Sequence, residues 1–284
     1  MSNSLLFSAA LVAAACGLTS CGSPPLVTWT EGGNGSTAPG ECATNPHPEC
    51  VKPGETPNGP PDVVCKAGRP ILTPEIVNAR DLGGTPIVAR PAEEAAEGAA
   101  EPQSVACGAV FRGPPLVLSS AACGAFAELG IRTVIDLRVE SERVAKPDSE
   151  CVGATASIQL SPLPVPYNVS TQDYIADLNT TESIAAVFHT LGSPDAYPVY
   201  LHCTWGRDRT GIVAALVLLA LGVAREDVMA EYSLSLPLVG AYPDSLAGML
   251  DELEARGGIG AYLAGIGISD DELAVLREHA LPPL

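Results

Sequence analysis

One stretch of this chain, HCTWGRDRTG at 202–211, obliges a strand, a tight loop and a helix to meet at a single point. Residues 198–202 before it have the β-branched and aromatic content of a short buried strand, and 211–224 after it form an apolar run of helical length. The spacing from Cys203 to Arg209 lets a loop circle one tetrahedral oxyanion with successive N–H groups turned inward. The following helix adds unpaired N–H groups and the positive end of its dipole, which favour a bound phosphate and a thiolate at Cys203. Thr204, Trp205, Gly206, Arg207 and Arg209 are therefore the expected phosphate-binding residues. A thiol, a guanidinium and the Thr210 hydroxyl in one turn point to nucleophilic chemistry.

The rest of the pattern is that of an α/β domain. Strands are expected at 86–89, 109–112, 133–137, 157–160 and 199–202, alternating with helices at 119–129, 170–177, 183–191 and 211–221. From Arg225 to His279 the pattern is helical only, at 226–235, 243–256 and 270–278, with Ser269 placed to cap the last helix. A chain of 284 residues with 46% hydrophobic content buries one sizeable core. No apolar run long enough to span a bilayer follows the first twenty positions.

HCTWGRDRTG resembles the Cys-x5-Arg-Ser/Thr loop of the protein tyrosine phosphatase superfamily. Asp208 directly before Arg209 is similar to the bacterial tyrosine/lipid phosphatase branch that includes mycobacterial secreted phosphatase B. NARDLGG at 78–84, FRG at 111–113 and GIRTVIDLR at 130–138 resemble that branch's other landmarks and occur in the same order. GGIGAYL at 257–263 and SDDEL at 269–273 look like its C-terminal helices, so the resemblance covers 71–284. It implies a tyrosine-phosphatase-like central sheet flanked by helices, with a helical C-terminal part.

The same resemblance implies roles. Cys203 is the nucleophile that forms a phosphocysteine, and Arg209 is the bidentate holder of the phosphoryl oxygens. Asp208 is the candidate general acid, with Asp136 as its rival. Thr210 either assists departure from sulfur or caps the helix. His202 orients the loop, and Arg207 stands where related enzymes commonly have Lys. Trp205 either stacks on an aromatic substrate at the rim or packs beneath the loop. Arg80, Asp81, Arg112 and Arg138 support the site or tie loops to carboxylates. The expected substrates are phosphotyrosine-type esters, with phosphoinositides or other small phosphate esters, or silent phospho-binding, as the alternatives. No cofactor or metal is expected: there is no Cys-x2-Cys and there are only four histidines.

The N-terminus has a separate reading. Residues 5–18 form an apolar segment, and Leu18-Thr19-Ser20-Cys21 resembles a bacterial lipobox, although no Lys or Arg precedes Lys52. Residues 1–20 are thus read as a signal, Cys21 as a lipidation site and 21–70 as a Pro/Gly-rich tether holding the domain at a bacterial membrane, outside the cytoplasm. Cleavage near Ala13–Ala15 is the simpler alternative. Setting aside Cys16, Cys21 and Cys203, the remaining Cys42, Cys50, Cys65, Cys107, Cys123 and Cys151 suffice for three disulfides of unreadable connectivity, with Cys42 to Cys50 the easiest closure. Residues 91–104 read as an acidic surface loop. The net charge of −18 disfavours nucleic acid and anionic membrane surfaces as partners, so the expected partners are a phosphorylated protein or small phosphate ester and a membrane reached through the lipid.

Overall fold

The computed structural model describes residues 68–72, 75–87, 104–164 and 169–282. A five-stranded sheet runs in the order β1-β2-β5-β3-β4, with β1 at Arg80–Asp81, β2 at Val110–Gly113, β3 at Thr133–Asp136, β4 at Ser157–Leu160 and β5 at Val199–His202. β1 pairs antiparallel with β2, and the other pairs are parallel. The inner parallel strands β2, β3 and β5 bury both faces, and the alternation shows it, while the edge strand β4 is exposed along its length. Val110, Ile135, Val199 and Leu201 face one core, while Phe111, Val134 and Tyr200 face the other.

The smaller core is closed by α1 (Ser120–Glu128) and α3 (Glu150–Thr155), which Cys123 and Cys151 join by a disulfide. The larger lies under α4 (Thr171–Leu178), α5 (Thr181–Leu191), α6 (Asp208–Ala220), α7 (Arg225–Ser233), α9 (Pro243–Ala255), α10 (Gly258–Gly265) and α11 (Asp270–Ala280). The short α2 (Glu140–Ala145) and α8 (Leu236–Val239) flank the loop end of the sheet. The helical C-terminal part thus packs on one face, and Ser269 caps α11 by accepting from the Glu272 N–H.

Several expectations need correction. The first described strand is Arg80–Asp81; of the strand expected at 86–89, residues 88–89 lie outside the described residues, and Pro86 makes an isolated bridge to Ser104. Helices α2, α3 and α8 were not anticipated; all three are short, so none shows a full amphipathic period. Arg69 and Pro70 already belong to the domain, since Arg69 is buried against Asp81 and Pro70 bridges to Arg80. Cys107 is also disulfide-bonded. Cys16, Cys21, Cys42, Cys50, Cys65 and most of 91–104 lie outside the described residues.

Candidate active site

Strand register builds the site. β2, β5 and β3 run parallel, so Gly113, His202 and Asp136 end abreast and Cys203 emerges at the carboxyl edge of the sheet. In open α/β sheets that edge is where ligands bind. Cys203 is a free thiol, 2% exposed. The loop then turns at Gly206, whose φ of +64° is left-handed and which lies so close to β2 that a Cβ would fall 2.3 Å from the Gly113 carbonyl carbon. Only glycine accepts both conditions.

The loop is fastened from below by motif residues. Asn78 Nδ2 donates to the carbonyls of Trp205 (3.1 Å) and Gly206 (3.2 Å), and Arg112 donates to the Gly206 carbonyl at 2.8 Å. Arg112 and Arg80 share the buried Glu231 of α7, each at 2.6 Å. Burial and the neighbouring Arg112 push the Arg80 pKa down to about 10. Burial would raise the Glu231 carboxyl, but the two guanidiniums hold it below the ordinary carboxylate range. Asp81 accepts from the N–H groups of Gly83 and Gly108, both at 2.8 Å. Arg138 takes both oxygens of Asp136, at 2.9 and 2.7 Å, and reaches Asp148 at 2.8 Å. Asp136, Asp148 and His202 bring ligand atoms within 4.8 Å of one another, but Arg138 already pairs with both carboxylates. Burial keeps the His202 pKa below its usual value.

α6 begins at Asp208 rather than at Gly211, and its N-cap position is Arg207. Asp208, Arg209 and Thr210 therefore form the first helical turn, and Thr210 is an interior residue, not the cap. Thr210 Oγ1 is buried without a hydrogen-bond partner, as is Arg209 Nε. The other two nitrogens of Arg209 are held by Glu142 of α2, at 2.7 and 2.6 Å, and Glu142 also accepts from Thr204. Burial alone would raise the Glu142 pKa, but these donors pull it down to about 2. Arg209 is correspondingly held charged: burial works against it, while Glu142 and the Cys203 sulfur raise its pKa.

Asp208 is buried beside α4 and α7. It accepts from the Tyr174 hydroxyl at 2.8 Å and from Arg207 Nε at 3.0 and 3.1 Å. Tyr174 in turn meets the Tyr232 hydroxyl at 2.6 Å, and the Tyr242 N–H donates to Tyr232 at 3.1 Å. Arg207 donates to the Val239 carbonyl at 2.7 Å and lies over the Tyr242 ring, 4.7 Å from its centre. Trp205 stands out at 56% exposure, on the rim.

Glu142, Asp148, Glu231, Tyr174 and Tyr232 were not among the expected residues. The available signal was indirect: buried motif arginines require carboxylate partners.

Residues 71–282 match the tyrosine phosphatase family. Over 178 residues the chain is 30% identical to a candidate tyrosine-protein phosphatase of Cupriavidus necator, covering 55% of this chain and 59% of that protein. Over 170 residues it is 28% identical to a tyrosine-protein phosphatase of Nostoc commune, covering 52% and 58%. The chain thus spans less than two thirds of the length of these curated relatives. Similar solved structures include the core catalytic domain of a PP-IP phosphatase from S. cerevisiae, at 13% identity and a TM-score of 0.36 over 54% of this chain and 89% of that one. Another is P. aeruginosa TpbA in complex with pTyr, at 15% identity and a TM-score of 0.30 over 68% and 94%. The family match runs through the loop, the strands that carry it and the helices that fasten it, and on that extent this chain belongs to the tyrosine phosphatase family.

Proposed function

We propose that this chain is a cysteine-dependent phosphatase of the bacterial tyrosine/lipid branch, acting on phosphotyrosine-type monoesters through a phosphocysteine. The observation that carries the reading is the reduced, buried Cys203 at the carboxyl end of β5, facing a helix whose first turn is Asp208-Arg209-Thr210. The Cys203 sulfur attacks phosphorus in line and the ester bond breaks. Water then attacks the phosphocysteine, releasing phosphate and the thiolate. Arg209 has Nε unspent and its other nitrogens braced by Glu142, so it is pre-set to meet a phosphoryl oxygen. Thr210 Oγ1 is likewise free to serve the sulfur. Asp208 is the acid that the loop itself supplies. The exposed Trp205 favours an aryl ester, which it can stack against.

Steady-state rates of wild type and Cys203→Ser on p-nitrophenyl phosphate, a phosphotyrosine peptide and phosphoinositides test this. The aryl substrates should lead and Cys203→Ser should abolish turnover. Faster phosphoinositide hydrolysis would move the substrate class, and phosphate binding without turnover would leave a silent binder.

We further propose export and lipid anchoring at Cys21, supported by the disulfides at Cys107 and Cys123–Cys151, which persist in oxidising compartments. Cys21→Ser should release the protein from the membrane fraction of an expressing bacterium. Wild-type protein found soluble in the cytoplasm would refute this.

A further inference from the structure

β4 is an edge strand, and its outer side is open. Ser157 and Ser161 donate their N–H groups to the Arg132 and Asp136 carbonyls on the β3 side, at 2.7 and 3.0 Å. Peptide groups alternate in direction along a strand, so the N–H and C=O of Ile158 and of Leu160 point out of the sheet. Among the described residues no backbone group pairs with them there. Natural edge strands are blunted by charge, proline or a bulge. The β4 sequence, SIQL, carries neither charge nor proline, its register with β3 is unbroken, and the Ile158 and Leu160 side chains are 42% and 52% exposed. Those two side chains line a cleft of about 330 Å³ between β4 and α3. Gly153 of α3 keeps it open: a Cβ at that position would already touch Ile158 Cδ1, at 3.8 Å.

The cleft is in line with the catalytic loop. Leu160, Asp136 and His202 stand abreast in the strand register, and His202 immediately precedes Cys203. Arg143 of α2, which also lines the cleft, directly follows Glu142, the residue that holds Arg209. A strand added outside β4 would lie three strand spacings from β5, about 14 Å away. An extended chain covers that distance in about four residues.

We propose that the outer edge of β4 and its cleft form an exosite for the phosphorylated protein, which adds an extended segment to the sheet while its phosphotyrosine occupies the loop. This deepens the phosphatase reading above and rests on it. The recognition chemistry is that of strand addition: the free N–H and C=O groups of Ile158 and Leu160 bind main chain, and the cleft takes apolar side chains at alternate positions. The preferred substrate is then an extended segment whose apolar residues begin about four positions from the phosphotyrosine, not a tyrosine held on a rigid helix. A second copy of this chain has the same edge to offer, but two molecules that each carry a net charge of −18 repel one another.

The test compares kcat/KM of the full chain, Ile158→Pro and Gly153→Leu on p-nitrophenyl phosphate and on two phosphotyrosine peptides. The long peptide carries about eight residues of alternating Val and Ser on each side of the phosphotyrosine, twice the estimated reach, and the short one about two. Ile158→Pro removes only an outward N–H, which an edge strand tolerates. Gly153→Leu fills the cleft from an exposed helix position. Wild type should favour the long peptide by about tenfold or more, chiefly through KM, the scale of a few main-chain hydrogen bonds. Each variant should lose that advantage and keep its rates on p-nitrophenyl phosphate and the short peptide within about twofold. Equal wild-type rates on the two peptides, or an advantage that survives both substitutions, would overturn the proposal. So would a wild-type dimer in light scattering that Ile158→Pro converts to a monomer, since the edge would then belong to a second copy. Should a variant not fold, N-methylation of the flanking amides in the long peptide decides the matter on wild type: the advantage should vanish, and its persistence would overturn the proposal. No turnover of p-nitrophenyl phosphate by wild type, or activity that survives Cys203→Ser, would instead sink the phosphatase reading itself.

Discussion

Replacing Asp177 by asparagine should stabilise the native state by an amount that grows with pH. The carboxyl has a pKa of 3.8 as an unperturbed group and about 8 in the folded chain, because it is buried without donors. Between those values the unfolded chain has released a proton that the native chain still holds. Unfolding therefore becomes easier as pH rises through this window, at about 1.4 kcal/mol per pH unit. The penalty is absent below the unfolded pKa and complete above the folded one, where it amounts to something on the order of 5 kcal/mol. Asparagine has nearly the same shape and does not titrate. Its own unsatisfied amide shifts the variant by a constant, not by a slope. Urea unfolding of both proteins at pH 5, 6, 7 and 8, with disulfides intact, should give a stability difference that widens by about 3 kcal/mol between pH 5 and 7. Other titrating groups cancel in that difference. A constant difference would mean that Asp177 is ionised in the native state and has a cationic or donor partner, contrary to its burial.

Other substitutions probe the scaffold. Glu231→Ala should cost about 3–5 kcal/mol, read as a lower urea midpoint, because it leaves Arg80 and Arg112 buried side by side without a counter-charge; an unchanged midpoint would show that the cluster is not needed. Gly206→Ala should reduce kcat/KM on an aryl phosphate by about 100-fold, the scale of a misplaced catalytic group, since the new Cβ collides with the Gly113 backbone. Unimpaired competitive inhibition by inorganic phosphate in that variant would refute the reasoning. Glu142→Gln should lower kcat/KM by about tenfold or more through loss of the brace on Arg209, and a rate equal to wild type would show that substrate alone orders the guanidinium.

How far the sequence reveals this site depends on whether a residue's partners lie close in the chain. The unit from β5 through the loop to α6 was legible because strand pattern, loop spacing and apolar helix are contiguous. Even there the helix start was read three residues late. Asp208, Arg209 and Thr210 carry no apolar period, since the first turn faces the site and not the core. Arg80, Arg112 and Arg138 were readable as residues that need carboxylates, but not which ones. With Asp and Glu totalling 33, composition offers no choice, and Glu231 lies 151 and 119 positions from the two arginines it joins. Its helix, REDVMAEYS, reads as a solvated face until Val228, Glu231 and Tyr232 are seen to be its buried residues. Asp177 left a better trace. Tyr174, Asp177 and Leu178 stand at i, i+3 and i+4, the spacing of an apolar stripe, and an acidic residue on such a stripe must either find a donor or keep its proton. The pattern alone does not choose between these. The fold does, because it brings α4 against the first turn of α6, where the Tyr174 hydroxyl and Arg207 are already engaged by Asp208 and no donor remains for Asp177. An uncharged acid on the buried face of α4 is therefore a product of packing, which its place in the sequence permits but does not impose.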